Sequence, residues 1–578
     1  MPEQTNTRSG APPWGIFPAG SSLLRDLPIV FAGLAVFYGI ISFAHYGIGP
    51  MNTEAEIQLA PSALPKYALF SVIRIAAAYA LSLAFTFVYG YIAAYNKRAE
   101  KLMIPLLDTL QSIPVLSFLP GVMVAMVSLF PTRQLGVELG SILLIFTGQV
   151  WNMTFSFYSS LKSIPREMRE AAKIYHFSWF QRFIQMELPY ASIGLIWNSM
   201  MSVAGGWFFL MACEMFVLGD RDLRLPGLGS YLQTAANEGN TRAILAGLAT
   251  MILVIVLMDQ LIWRPVIAWS QKFKVEQVEA VETPTSPILD LLRRSHLLSL
   301  ASSWTTVPAR EAFMQHFARM HKERRKAGKH SAVIWYLIGA TCAGALAYGV
   351  VRMLRMVAGV SWPEWRAIFI GAGATFLRVE FVLLVAALWT VPVGIYIGLR
   401  PRLSAIAQPI AQIAASVPAT ALFPIILLLL IRLGGGLGIG ALVLLLLGTQ
   451  WYILFNVIAG ASAIPTDLKE VCQIFKLSKG ERWRKLFLPA VFPFLVTGFV
   501  TASGGAWNAS IVAEYFHFHG ETISTVGLGA VISDATNRGN FDMLLAATIV
   551  MALMVVTINR LVWRRLYALA STKYKLET

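Results

Sequence analysis

Charge is what this sequence has least of. Asp, Glu, Lys and Arg make up 13% of its 578 residues against 56% hydrophobic ones, and mean hydropathy is +0.61. Soluble domains carry about 25% charged residues, so half that share excludes a water-facing surface over most of the chain. Cysteine is almost missing: the 3 present, Cys213, Cys342 and Cys472, show no CxxC or Cys/His spacing. That excludes a disulfide framework and a thiolate metal centre. The 8 His are scattered, and no His, Asp or Cys cluster stands at the spacing of a metal or nucleophile site, so a membrane-embedded enzyme is not supported. No GxxxxGK[ST] phosphate loop occurs either: Gly328-Lys329 is followed by His330 and lacks the upstream Gly.

What is present is apolar sequence in long runs. Segments near 27–46, 66–95, 103–130, 138–160, 190–217 and 242–264 are followed by others near 332–358, 367–398, 405–432, 437–460, 490–515 and 541–563. Most approach or exceed the about 18 residues that mark a bilayer-crossing helix. They predict an all-α polytopic membrane protein of about 12 transmembrane helices. Several runs contain Pro, and PLLDTLQSIPVLSFLP at 105–120 predicts a broken or kinked span. The first run is long for a signal peptide and no small-residue cleavage site closes it, so it reads as a retained span.

The basic balance, 47 Lys+Arg against 31 Asp+Glu, follows the loops. Lys97, Arg98 and Lys101, then Lys162, Arg166, Arg169, Lys173 and Arg182, then the basic middle segment and the C-terminal Arg564 and Arg565 fall on one side. The opposite loops are poorer or mixed. Positive charge gathers on cytoplasmic loops, so both termini are expected in the cytoplasm, and the partner of this charge is the lipid bilayer, with no nucleic acid.

The chain is a direct repeat. Trp151, Ile164, Pro165, Glu170, Ser178, Leu188, Pro189, Glu214, Asn237 and Trp263 recur 300 positions later at Trp451, Ile464, Pro465, Glu470, Ser478, Leu488, Pro489, Glu514, Asn537 and Trp563. Upstream the spacing is 304, as from Pro105, Pro114 and Pro120 to Pro409, Pro418 and Pro424, so a short indel separates the third and fourth spans. Six spans per copy is even, which makes the two six-helix repeats parallel rather than inverted. The expected organisation is an N-terminal tail 1–26, a first half 27–269, a basic cytoplasmic linker 270–331 marked by PTSP, a second half 332–566 and a tail 567–578.

Between spans four and five each copy has a patterned inner loop, 162–188 and 462–488. The first contains IPREMREAAKIYHFSWFQRFIQMELP and the second IPTDLKEVCQIFKLSKGERWRKLFLP. A short helix with small residues and an exposed Glu suits insertion into a groove of a soluble partner, and the closing Pro ends the loop and starts the next span. The pattern resembles the EAA loop of ATP-binding-cassette importer permeases. Glu170, Ala171 and Ala172 match it fully, whereas Glu470 stands before Val471 and Cys472; Leu188-Pro189 and Leu488-Pro489 keep its ending. Where the family has Gly, this chain has His176 and Lys476. The resemblance implies a type I importer permease fold and two separate ATP-binding subunits docked on these loops. ATP and Mg2+ would then sit on those partners, with no cofactor, no catalytic residue and no metal on this chain.

GGWFFLMACEMF before GLGSYLQTAANEGN, and GAWNASIVAEYF before GLGAVISDATNRGN, look like the nitrate/sulfonate/taurine/bicarbonate branch. Permeases of that branch usually carry six spans and act as pairs, so this chain looks like two permease halves fused in one; the resemblance also implies an extracytoplasmic solute-binding protein docked outside and a bacterial inner-membrane location. Trp207, Glu214, Trp507, Asn508 and Glu514 are candidate pathway residues, with Arg74 and Arg378 at matched positions in span two. A charge inside a span costs about 2.5–3.5 kcal/mol on insertion scales, so these groups need partners or a water-filled cavity. Pairing of the Arg with the Glu is favoured over attraction of an anion. The alternative architecture is an ion-gradient-driven carrier of the major facilitator type, whose Gly/Asp/Arg signature after span two is not matched by NKRAEK or RPRLSA.

Overall fold

The computed structural model of the chain describes residues 27–50, 56–218, 221–273, 287–295, 341, 344, 347–433, 436–518 and 521–573. The tail 1–26, most of the linker 270–331 and the end of the C-terminal tail lie outside them. Among the described residues seven helices are long and apolar enough to cross a membrane: Pro61–Tyr95, Trp179–Glu214, Thr241–Ser270, Trp362–Gly398, Leu437–Ser462, Lys479–Ala513 and Phe541–Ala570. Two bent pairs raise the number to nine. Leu27–Ile48 and Leu135–Ser163 occupy two further expected spans. The first part of the run at 332–358 lies outside the described residues, and 347–358 are helical. The chain is thus all-helical in its spans, in two repeats.

The first bent pair is the expected broken third span, and the second copy breaks at the matched position. Lys97–Ser112 meets Val115–Leu129 at 83°, and Arg402–Ser416 meets Ala419–Leu427 at 75°. The cause is an X-Pro step: a Pro ring clashes with a helical residue before it. Ile113 before Pro114 accordingly lies at φ −79°, ψ 126°, and Val417 before Pro418 at φ −73°, ψ 118°.

Contacts divide the chain into two compact units. The larger comprises Phe43–Lys162, Asn198–Val256 and His330–Thr578; the smaller comprises Met1–Ser42, Ser163–Trp197 and Leu257–Lys329. Within the larger unit helices approach through small residues, as packing in lipid favours. A Cβ on Gly90 would lie 2.8 Å from the Phe157 ring, and one on the matched Gly394 2.7 Å from Val457. Beyond span five of each copy the chain forms a short antiparallel hairpin, Val217–Leu218 with Arg221–Asp222 and Tyr515–Phe518 with Glu521–Ser524. A ten-residue helix follows, Leu228–Asn237 or Leu528–Asn537. The smaller unit holds the first inner-loop helix, Arg166–Ile174, and the end of the last span of its copy, where Lys272 lies 4.2 Å from the Trp269 ring centre.

Candidate functional site

The inner loops fold alike in the two copies. Pro165 and Pro465 start nine-residue helices, Arg166–Ile174 and Thr466–Ile474. Each ends in a closed C-terminal turn: Phe177 N–H donates to Ala172 O at 2.9 Å and Leu477 N–H to Cys472 O at 3.0 Å. That turn requires a left-handed residue after the helix. His176 (φ 49°) and Lys476 (φ 50°) supply it, the two non-glycine residues with positive φ among those described. The departure from Gly noted in the sequence therefore falls where Gly is conformationally favoured, and the turn forms regardless. Ser178 and Ser478 then cap a second helical turn: Gln181 N–H and Glu481 N–H each donate to the serine Oγ at 3.3 Å. The S-x-x-Q/E spacing encodes that box. One π-helical turn, Phe183–Glu187 or Trp483–Phe487, leads into Leu188-Pro189 or Leu488-Pro489.

Glu170 and Glu470 are exposed on these helices, while Ala172 and Cys472 face inward and are buried; Ala171 is half-buried and Val471 exposed. Sequence reasoning missed the apolar tip. Ile174 and Tyr175 are 73% and 74% exposed, and Ile474 and Phe475 match them at 74% and 73%. Two bulky apolar side chains held open at one position in both copies, against a left-handed turn, form a preset contact surface.

In the larger unit the span-two arginines and span-five glutamates meet. Glu214, fully buried, accepts from Ser71 Oγ (2.7 Å), Arg74 Nη1 (2.8 Å) and Gly229 N–H (2.7 Å). Arg74, also fully buried, completes its fork on Glu138, Nε at 2.7 Å and Nη2 at 2.6 Å. In the second copy Glu514 accepts from Thr375 Oγ1 (2.8 Å), Arg378 and Gly529 N–H (2.8 Å). Leu228 N–H donates to Ser71 and Leu528 N–H to Thr375, at 3.0 and 2.8 Å. Each Glu therefore joins span two, the end of span five and the GLG loop. A Cβ on Gly227 or Gly527 would strike the Glu carboxylate, so glycine there admits the side chain that ties the loop down.

The other candidates are placed separately. Trp207 and Trp507 are 2% and 0% exposed, inside the helix packing. Asn508 Oδ1 accepts from Leu116 N–H at 3.3 Å, so span five of the second copy satisfies a donor at the break in span three of the first. Beside that region lies a cavity of about 510 Å3. Leu116, Leu119, Ala212, Phe216, Ile511 and Phe516 give it an apolar wall, and Asp222, Arg224, Gln233, Asn237, Ser533 and Asn537 a polar rim. Both copies contribute. Arg224 is neutralised by Asp222 at 2.5 Å and donates to Thr234 at 3.0 Å. Much of this lining comes from the hairpins and short helices beyond span five.

Residues 86–262 and 390–571, one stretch in each copy, match the family described as Binding-protein-dependent transport system inner membrane component. The chain belongs to this family. It is 30% identical over 197 residues to the nitrate import permease protein of Leptolyngbya laminosa, covering 34% of this chain and 67% of that protein. It is 29% identical over 189 residues to the bicarbonate transport system permease protein of Synechococcus elongatus (33% and 65%). With the putative aliphatic sulfonates transport permease protein of Bacillus subtilis it shares 23% over 207 residues (35% and 70%). The chain thus spans about two thirds of the length of these relatives. As an inner-membrane transport component of this branch, it is not a carrier of the major facilitator type.

Proposed function

We propose that this chain is the membrane-spanning part of an ATP-driven importer, two fused permease halves forming the pathway for a small anion. Nitrate, bicarbonate and sulfonates are the solutes named for the relatives, and an external binding protein delivers one of them. Two ATP-binding subunits dock on the inner loops at Glu170, Ala171, Ala172 and His176, and at Glu470, Val471, Cys472 and Lys476. Leu188-Pro189 and Leu488-Pro489 pass the movement to span five. Both termini are cytoplasmic, ATP and Mg2+ are held by the partners, and this chain catalyses no reaction. The cavity of about 510 Å3 lies at the receptor end of the pathway.

The observation that carries this reading is the duplicated loop with its exposed Ile-aromatic tip at 174–175 and 474–475. A membrane face that merely contacts water has no use for two such tips; a groove on a soluble partner does. Binding of ATP closes the partner pair, and differential affinity of ATP and loaded receptor for the two states alternates the pathway. The test is Glu170→Arg with Glu470→Arg in proteoliposomes containing both partner types. Uptake of labelled nitrate, bicarbonate or taurine and receptor-stimulated ATP hydrolysis should fall to background, with the unfolding midpoint of the purified chain unchanged. Uptake at the unmutated level would overturn the docking assignment.

A further inference from the structure

The two copies serve as controls for each other, and they differ at a charged position beside the span-two arginine. Offset by 300, Glu138 at the start of span four corresponds to Gly438. The register is confirmed by packing: a Cβ on Gly140 would meet Met123 Sδ, and one on Gly440 would meet Leu427, which is the 304-offset partner of Met123. The first copy therefore has one Arg held by two carboxylates, and the second has one Arg held by one.

The consequence is visible on the guanidinium. Arg74 spends Nε and Nη2 on Glu138 and Nη1 on Glu214 and Pro226 O. Arg378 gives Nη1 to Glu514 and Nη2 to Val526 O at 3.1 Å, and its Nε has no acceptor among the described residues. Its side chain keeps 13% exposure where Arg74 has none. Among the described residues the nearest atom to a Cβ on Gly438 is the Thr525 hydroxyl, at 3.9 Å, an ordinary contact distance. Val526, whose carbonyl accepts from Arg378, follows Thr525 directly.

We propose that the second copy binds a small monovalent oxyanion at the Nε of Arg378, on the side where Gly438 stands in place of Glu138. The chemistry selects the ligand. A planar two-oxygen edge matches the Nε fork of arginine, as the Arg74–Glu138 pair shows in this chain. Arg378 is already neutralised once by Glu514, so one further negative charge reproduces the charge of the first-copy trio. A divalent anion would exceed it. Nitrate, bicarbonate and formate have the required shape and charge, whereas gluconate, with its long polyol chain, is too large. The inference concerns a resident anion and uses no transport assay, so its failure and that of the importer reading are separable.

The test is calorimetric titration of the full-length chain, purified in detergent, with nitrate and with formate against gluconate at equal ionic strength, alongside thermal unfolding. The unmutated chain should bind one nitrate and show a saturable rise in midpoint. Gly438→Glu supplies the carboxylate internally and should remove both effects. The converse change, Glu138→Gly, should create a second site and bind two anions per chain; it also keeps the proposal testable if the added Glu prevents folding. Arg378→Gln should bind none. Titration of the unmutated chain without saturable binding, or binding by the Gly438→Glu and Arg378→Gln variants equal to that of the unmutated chain, would overturn the assignment.

Discussion

The unequal charge of the two clamps makes Glu514→Gln more damaging than Glu214→Gln, although the residues occupy matched positions. In the first copy, the Glu214→Gln change would leave Arg74 with both oxygens of Glu138, at 2.6 and 2.7 Å, so the buried cation stays paired. The loss is one hydrogen bond to a charged group, about 1.5 kcal/mol, and relief of repulsion between two carboxylates offsets part of it. In the second copy, the Glu514→Gln change would leave Arg378 with no carboxylate among the described residues. Breaking a buried pair from one side costs about 3–5 kcal/mol, and the 13% exposure of Arg378 places it at the lower end. The expected difference is about 1.5 kcal/mol or more in favour of the first-copy variant. Chemical unfolding in detergent without small oxyanions, followed by fluorescence of the 16 Trp, reads it. Equal losses, or a larger loss from Glu214→Gln, would refute the reasoning that charge count separates the copies.

Gly227→Ala and Gly527→Ala should each cost about 1–3 kcal/mol by overpacking against the Glu carboxylate, whereas Gly121→Ala, with nothing within 4 Å of its Cβ, should be neutral or stabilising. The contrast is read from unfolding midpoints, and a neutral result at 227 and 527 would mean that the carboxylates do not hold the loops. His176→Gly and Lys476→Gly should stabilise the inner-loop turns by about 1 kcal/mol each through relief of left-handed backbone, and His176→Val should destabilise; hydrogen exchange of Phe177 and Leu477 amides checks the direction. Filling the cavity with Ser533→Trp should stop uptake while costing no more than the about 1 kcal/mol of the lost hydrogen bond from Ser533 to Ile511 O.

Features written in local sequence or in the repeat were legible before any coordinates. The spans announce themselves by apolar length and the break at 113–114 by its X-Pro step, whereas the serine boxes at 178 and 478 were overlooked although their spacing encodes them. The pairing of Arg74 with Glu214 was readable only as a preference, because two groups 140 positions apart meet through helix packing that no local pattern specifies. Glu138 was missed for the same reason, and because its partner position carries Gly438, it left no trace in the repeat. The exposed Tyr175 and Phe475 escaped notice because an apolar residue beside a membrane span reads as membrane-facing until the turn that lifts it out is seen. The cavity rim escaped because turn-forming Asn and Gly hide the fact that two turns converge.

Duplication also explains which differences the chain tolerates. The two glutamates and the two GLG loops are retained in geometry because each closes a buried hydrogen-bond circuit: Gly229 N–H and Gly529 N–H would be left without acceptors if the carboxylates were removed. Positions outside those circuits have diverged, as Glu138 and Gly438 have, and as Phe208 has from Asn508, whose amide alone reaches the partner copy at Leu116. Divergence of this kind is open to a fused pair and closed to two identical chains, because an identical pair must carry every polar group twice. Asymmetry in the clamps and at the span-three break is therefore a feature that a pair of identical chains could not carry, and exchanging residues 138 and 438 between copies is the direct way to measure its effect.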